Sequence, residues 1–211
     1  IYGLPFNFFS LGRFHYFAPL ILRSLGKNKV VITGAPGTGK TSIVNGLEQR
    51  GFHCFHEIIR DMTSKAKQEG QSEHHISNPL VFVDDALQFN KDLLEGRASH
   101  YRQSQHINAP ISFFDRGIPD VLAYMDFFDQ AYDDYFISHA ENHRYDSVFI
   151  VPPWKEIYVS DNERLETFEE AENIHHSLLK IYTQFGYNPI EVPKDDVPNR
   201  IDFILETLKI T

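Results

Sequence analysis

Residues 29–41 read KVVITGAPGTGKT. The run Lys29–Thr33 is short, apolar and β-branched, and it stops at glycine, as a strand buried on both faces of a parallel sheet does. Gly34-Ala35-Pro36-Gly37-Thr38-Gly39-Lys40-Thr41 then matches G-x-x-x-x-G-K-[ST] in full. Thr41–Arg50 follows with helical spacing and ends at Gly51. Strand, glycine-rich turn and helix in that order give the pattern its meaning. The three glycines admit backbone conformations closed to other residues. The N–H groups of the loop then converge on an anion at a helix N-terminus, where the dipole favours negative charge. Lys40 is expected to reach the β- and γ-phosphates of a nucleoside triphosphate, and Thr41 to offer its hydroxyl to Mg²⁺. Residues 34–41 are therefore the expected cradle of ATP.

Outward from this loop, strands alternate with helices. Phe52–His56, Ile111–Asp115 (ISFFD), Ser147–Val151 (SVFIV) and Pro189–Val192 read as further strands. Helical patterns cover Glu57–Glu69, Pro79–Gln105 (with a break expected near Gly96), Gln130–His143, Thr167–Phe185 and Val197–Ile210. Gln71–Asn78 is polar and reads as a loop. The alternation predicts an α/β fold, a parallel sheet with helices on both faces. No repeat of 20–50 residues and no Gly-, Pro- or Ser-rich linker divides it.

The chain has 211 residues, with 20 Lys+Arg, 29 Asp+Glu and one cysteine. The lone Cys54 excludes a disulfide framework within one chain and fits a reducing, cytoplasmic setting. The first 30 residues hold Arg13, Arg23, Lys27 and Lys29 and no acid, leaving 16 basic against 29 acidic residues in 31–211. A body of net charge −13 is a poor partner for a nucleic-acid backbone. Residues 1–26 contain seven Phe or Tyr and match nothing that follows. Their longest uncharged run is 12 residues, short of the roughly 20 that a spanning helix needs. They are read as an atypical aromatic-rich extension, and 27–211 as the folded domain. No nucleic-acid partner is expected, and no membrane partner for the folded domain; residues 1–26 stay open to a membrane- or partner-binding reading, and oligomeric state is not legible.

Several nucleotide-binding classes are excluded by what is missing. The guanine motif N-K-x-D fails at Leu93 in Asn90-Lys91-Asp92-Leu93. The switch D-x-x-G fails because Gly117 follows Asp115 one residue early. Hydrolytic ATPases place a glutamate after the strand-end aspartate, where this chain has Arg116. Asp115 ends a central strand, where ligands of open α/β sheets bind, and can hold Mg²⁺ through water. Arg116 adds a cation with fork geometry suited to a phosphate or carboxylate. Asp120, three residues past Gly117, is placed on the substrate side.

Together VVITGAPGTGKT, FHEIIRDM, ISFFDRGIPD, the stretch DNERLETFEEAENIHHSLLKIYTQFGYNPIEVP and NRIDFIL resemble the NadR/thymidylate-kinase-like "AAA domain" family of small ATPases and kinases. The resemblance spans about residues 28–210. It implies a three-layer P-loop fold, a five-stranded sheet in the order 2-3-1-4-5, and a small lid over about 152–166. It further implies that Glu57 orients or deprotonates a hydroxyl acceptor and that Arg60, one helical turn on, orients the substrate. Arg164 in the lid would close over the phosphates, and Val192-Pro193 would border the adenine. Trp154 either stacks on a substrate ring or packs beneath the lid. The expected reaction is transfer of the ATP γ-phosphoryl group to a small nucleoside- or nucleotide-like acceptor. A hydrolytic switch or a non-catalytic nucleotide-binding module is the alternative.

Eleven histidines include the pairs His74-His75 and His175-His176, and His139 with His143 at i, i+4. None completes a zinc pattern such as H-E-x-x-H, so no transition-metal site is expected. Asp84-Asp85 and Asp133-Asp134 are read as solvated helix faces.

Overall fold

The computed structural model describes residues 27–59, 85–158 and 166–210. Strand β1 (Asn28–Gly34) is flanked by β3 (Ile111–Asp115) and β4 (Ser147–Val151). Beyond these lie β2 (His53–Phe55) and β5 (Ile190–Glu191). The sheet is parallel throughout, in the order β2-β3-β1-β4-β5. Side-chain alternation along buried strands divides the core in two. Val31, Phe55, Phe114, Val148 and Ile150 face one side; Val30, Ile32, Phe113, Phe149 and Val151 face the other.

The helices follow from capping chemistry as well as periodicity. Helix α1 (Lys40–Gln49) starts from Gly39, which is left-handed at φ 88°. Helix α2 (Ala86–Ser104) is capped by Asp85, which accepts from Gln88 N at 2.9 Å. It runs unbroken past Gly96, where a Cβ would press on the Ile58 side chain. Helix α4 (Asp134–Asn142) is capped by Asp133, which accepts from Tyr135 N at 3.1 Å. Asp85 and Asp133 are thus helix caps and not simply solvated faces. Helix α5 (Phe168–Gln184) opens on a reciprocal Thr167–Glu170 capping box. Helix α6 (Val197–Thr207) is capped by Asp196 on Asn199 N at 2.9 Å.

Helix α3 (Ile118–Phe127), IPDVLAYMDF, is absent from the sequence-based expectation. It is buried on most of its circumference, so its apolar residues show no 3.6-residue stripe. Pro119 sits in its first turn, where proline starts a helix and does not break one. The helix expected over 57–69 is described only at its start; the loop expected over 71–78 and residues 159–165 of the expected lid lie outside the described residues. No helix among the described residues is long and apolar enough to cross a membrane.

Candidate active site

The loop between β1 and α1 lies at the carboxyl edge of the central strand, beside Asp115 across the β1–β3 register. Gly34 has φ 154°, and a Cβ there would run into the Val151 carbonyl oxygen on β4. Only glycine permits that approach. Inside the loop, Lys40 Nζ donates to Ala35 O at 2.7 Å and contacts Thr38 Oγ1 at 3.5 Å. Thr38 Oγ1 also donates to Ala35 O, at 2.9 Å. The lysine is 7% exposed. Burial, reinforced by the nearby Arg116 charge, brings its pKa down to about 7. Thr41 follows in the first turn of α1.

Next to the loop, Glu57 stands between two arginines. Arg116 Nε donates to Glu57 Oε2 at 2.6 Å. Arg97 Nη2 donates to Glu57 Oε1 at 3.1 Å and lies 3.4 Å from Oε2. Arg97 Nη1 also donates to Gly117 O at 3.0 Å. Arg116 has φ 74°, a left-handed backbone that costs a non-glycine residue about 1 kcal/mol or more. Its N–H donates to Ile32 O at 3.0 Å and its Nη1 to Asp120 Oδ1 at 3.2 Å, which hold it in that turn. Burial opposes its charge, but Tyr124, Glu57, Asp120 and Asp115 outweigh it and hold its pKa well above the ordinary value.

Asp120 has no exposed surface. Oδ1 accepts from Thr33 Oγ1 at 2.5 Å and from Arg116; Oδ2 accepts from Gly117 N at 2.9 Å and Tyr182 Oη at 2.6 Å. Burial works against the carboxylate, yet Arg97 and Arg116 hold its pKa below the usual range. Its oxygens are engaged from all sides. The expected substrate contact is therefore replaced by a positioning role: Asp120 locks the turn that carries Arg116.

Phe55, Ile58, His100 and Phe114 line a shallow cleft whose polar edge is His56, Arg97, Asp115 and Arg116. At the other end of the loop, half-buried Trp154 lies over the Arg200 guanidinium, 5.1 Å from ring centre to cation. Arg200 Nη1 donates to Thr38 O at 3.0 Å. Val192 is fully buried among the residues under the sheet, and its N–H donates to Ile150 O at 2.9 Å. Its side chain therefore faces the core, and only Pro193 of that pair is exposed. Arg60 and Arg164 lie outside the described residues.

The structure thus brings together residues 34–41, Glu57, Asp115 and Arg116, and adds two residues that motif reading missed. Arg97 sits on the buried face of α2 with Leu93, Leu94, Ala98 and Tyr101. Arg200 sits on that of α6 with Ile201 and Ile204. The available signal was a cation at an apolar phase of a helix.

A parallel sheet in this order, with a complete phosphate loop after its central strand, defines a P-loop nucleotide-binding protein of the kinase-like type. The model of the family described as "AAA domain" matches residues 29–200, and the chain belongs to that family. The fold is similar to NadR solved in complex with NR (TM-score 0.66, 18% identity, 88% of this chain and 52% of that chain). It is similar to thymidylate kinase from Candida albicans (TM-score 0.64, 16% identity, 86% and 92%). It also resembles deoxyadenosine kinase from M. mycoides with bound dCTP (TM-score 0.50, 15% identity, 86% and 98%). The chain spans about half the length of that NadR chain. No curated protein matches it.

Proposed function

We propose that this protein is an ATP-dependent kinase that transfers the γ-phosphoryl group to a hydroxyl of a small nucleoside- or nucleotide-like molecule in the cytoplasm. One observation carries the reading: Glu57 pairs with two arginines beside the phosphate loop, and both arginines lie on the polar edge of a shallow aromatic cleft. A phosphate loop alone needs no such cluster of charges beside it. Lys40 and the loop amides hold the donor. The Thr41 hydroxyl and the Asp115 carboxylate are hard oxygen donors of the kind Mg²⁺ takes alongside phosphates and water. When bound, the metal neutralises charge between the phosphates. Glu57 orients the acceptor hydroxyl at the cleft. Arg116, and Arg164 from the lid, counter the charge that develops on the transferred group. Such transfer is mainly positioning and electrostatics, so losing one cation is expected to cost roughly 3 kcal/mol of barrier.

The test is ATP consumption with and without a panel of nucleosides, nucleotides and vitamin precursors, read by mass spectrometry. A compound that stimulates turnover and gains a phosphoryl group supports the kinase. Slow hydrolysis indifferent to every compound sinks it and leaves a hydrolytic switch; tight binding without turnover leaves a nucleotide-binding module.

A further inference from the structure

Among the described residues, Arg200 differs from Arg97 and Arg116 in having no carboxylate in contact with it; Asp195 acts on it from beyond ion-pair distance. Arg97 and Arg116 are paired with Glu57, and Arg116 also with Asp120. Arg200 is 2% exposed and forms no ion pair within 4.0 Å among the described residues. Among the described residues its Nε is buried without a hydrogen-bond partner, and Nη1 donates to the Thr38 carbonyl. The Trp154 ring covers the cation, and a Cβ at Gly39 would lie 3.2 Å from Nη1. A desolvated cation that touches no carboxylate and is balanced only from a distance, by Asp195, is costly to a fold unless something later compensates it.

The Thr38 contact also sets the direction of a loop amide. In a trans peptide the carbonyl and the following N–H point to opposite sides. Pinning the Thr38 oxygen toward α6 aims the Gly39 N–H away from α6. The same peptide leads into the left-handed turn at Gly39, φ 88°.

We infer that Arg200 is a positioning residue of the donor site: it orients the Thr38–Gly39 peptide and supplies a desolvated positive charge, in contact with no carboxylate, that the polyphosphate bound in the loop balances. This rests on the donor half of the proposed function, polyphosphate binding, and not on the acceptor. The cover of Trp154 strengthens the effect by excluding water from that side. The guanidinium therefore acts through the loop, not by contact with the reacting atoms.

The experiment compares wild type, R200M and R200K with two probes, ADP with magnesium and inorganic tripolyphosphate, by calorimetry. Circular dichroism and thermal melting check the fold. R200M keeps the side-chain volume without the charge and is expected to weaken both probes by about tenfold or more, the usual worth of a charge-assisted contact. R200K is expected to recover most of the affinity. The chain has one tryptophan. Emission from Trp154 is expected to change when tripolyphosphate, which carries no ring, saturates the wild type.

A folded R200M that binds both probes within twofold of wild type overturns the inference. So does a loss for ADP alone, since Arg200 would then read the base and not the phosphates. If R200M does not fold, the wild-type emission decides: no change at saturating tripolyphosphate overturns the assignment. Wild-type binding of both probes with no acceptor phosphorylated sinks the kinase reading and leaves this inference standing; failure of wild type to bind either probe sinks both.

Discussion

Arg116 Nε donates to Glu57 Oε2 at 2.6 Å, joining the residue after β3 to the residue two past β2. The same carboxylate takes Arg97 from α2. Three segments far apart in the chain thereby meet beside the phosphate loop, and both side chains of the Arg116–Glu57 pair are 11% exposed. A pair this enclosed is costly to break from one side, because the remaining charge stays buried.

Glu57→Gln removes the negative charge between two guanidinium groups and keeps the shape. Affinity for ATP should stay within about threefold of wild type, while acceptor phosphorylation falls by about 100-fold or more. The melting midpoint should drop as well, because breaking a buried pair costs about 3 kcal/mol. Calorimetry with ATP beside steady-state kinetics checks the split. A fully active variant would remove Glu57 from the acceptor site.

Lys40 links ligand binding to pH. Its folded pKa of about 7 lies below the ordinary lysine value, chiefly because burial disfavours the charge. Between these two values the unfolded chain holds more protons at this site than the folded one. Its contribution to stability therefore rises with pH from about 7 toward the ordinary lysine pKa. Urea unfolding of the ligand-free protein across that window should show a slope that Lys40→Met removes. ATP binding near pH 8 should take up a proton, seen as calorimetric heats that depend on the buffer's ionisation enthalpy. Lys40→Met should also abolish turnover; persistence of the pH slope in the variant refutes the assignment.

Asp120→Asn tests positioning. The carboxylate accepts from Thr33, Arg116, Gly117 and Tyr182, so the amide leaves Arg116 undercompensated and turns one acceptor into a donor. A loss of about 3 kcal/mol in chemical denaturation is expected. In the wild type the depressed pKa of Asp120 contributes stability above the ordinary aspartate value and loses it as pH falls through the folded pKa. The substitution should therefore flatten the acid limb of the stability profile below about pH 4. Unchanged stability with a raised KM for the acceptor would restore a direct substrate contact.

Gly34→Ala places a methyl group against the Val151 carbonyl at a φ of 154°. The central strands must part or the loop must move. A destabilisation of about 3 kcal/mol or more is expected, together with loss of ATP binding. Thermal melting and calorimetry check both; a variant with wild-type melting and affinity would mean that the approach of β1 to β4 is not as tight as described.

The amino-acid sequence by itself determined the phosphate loop, the five strands, the parallel α/β class and the strand-end Asp115-Arg116. These are local features: a β-branched run, a glycine pattern and a helix read from neighbours in the chain. It did not reveal α3, whose apolar residues point all round because α5, α2 and α4 pack against it and it shares one core cluster with the sheet. Nor did it pair Glu57 with its partners. Arg97 is 40 residues away from Glu57, and Arg200 is 162 residues from Thr38. Tertiary packing alone decided that Asp120 would be consumed by four donors and that two helix-borne arginines would join the site, Arg97 on Glu57 and Arg200 on Thr38. Desolvation makes those contacts matter, and which charges lose their water depends on every layer of the fold at once.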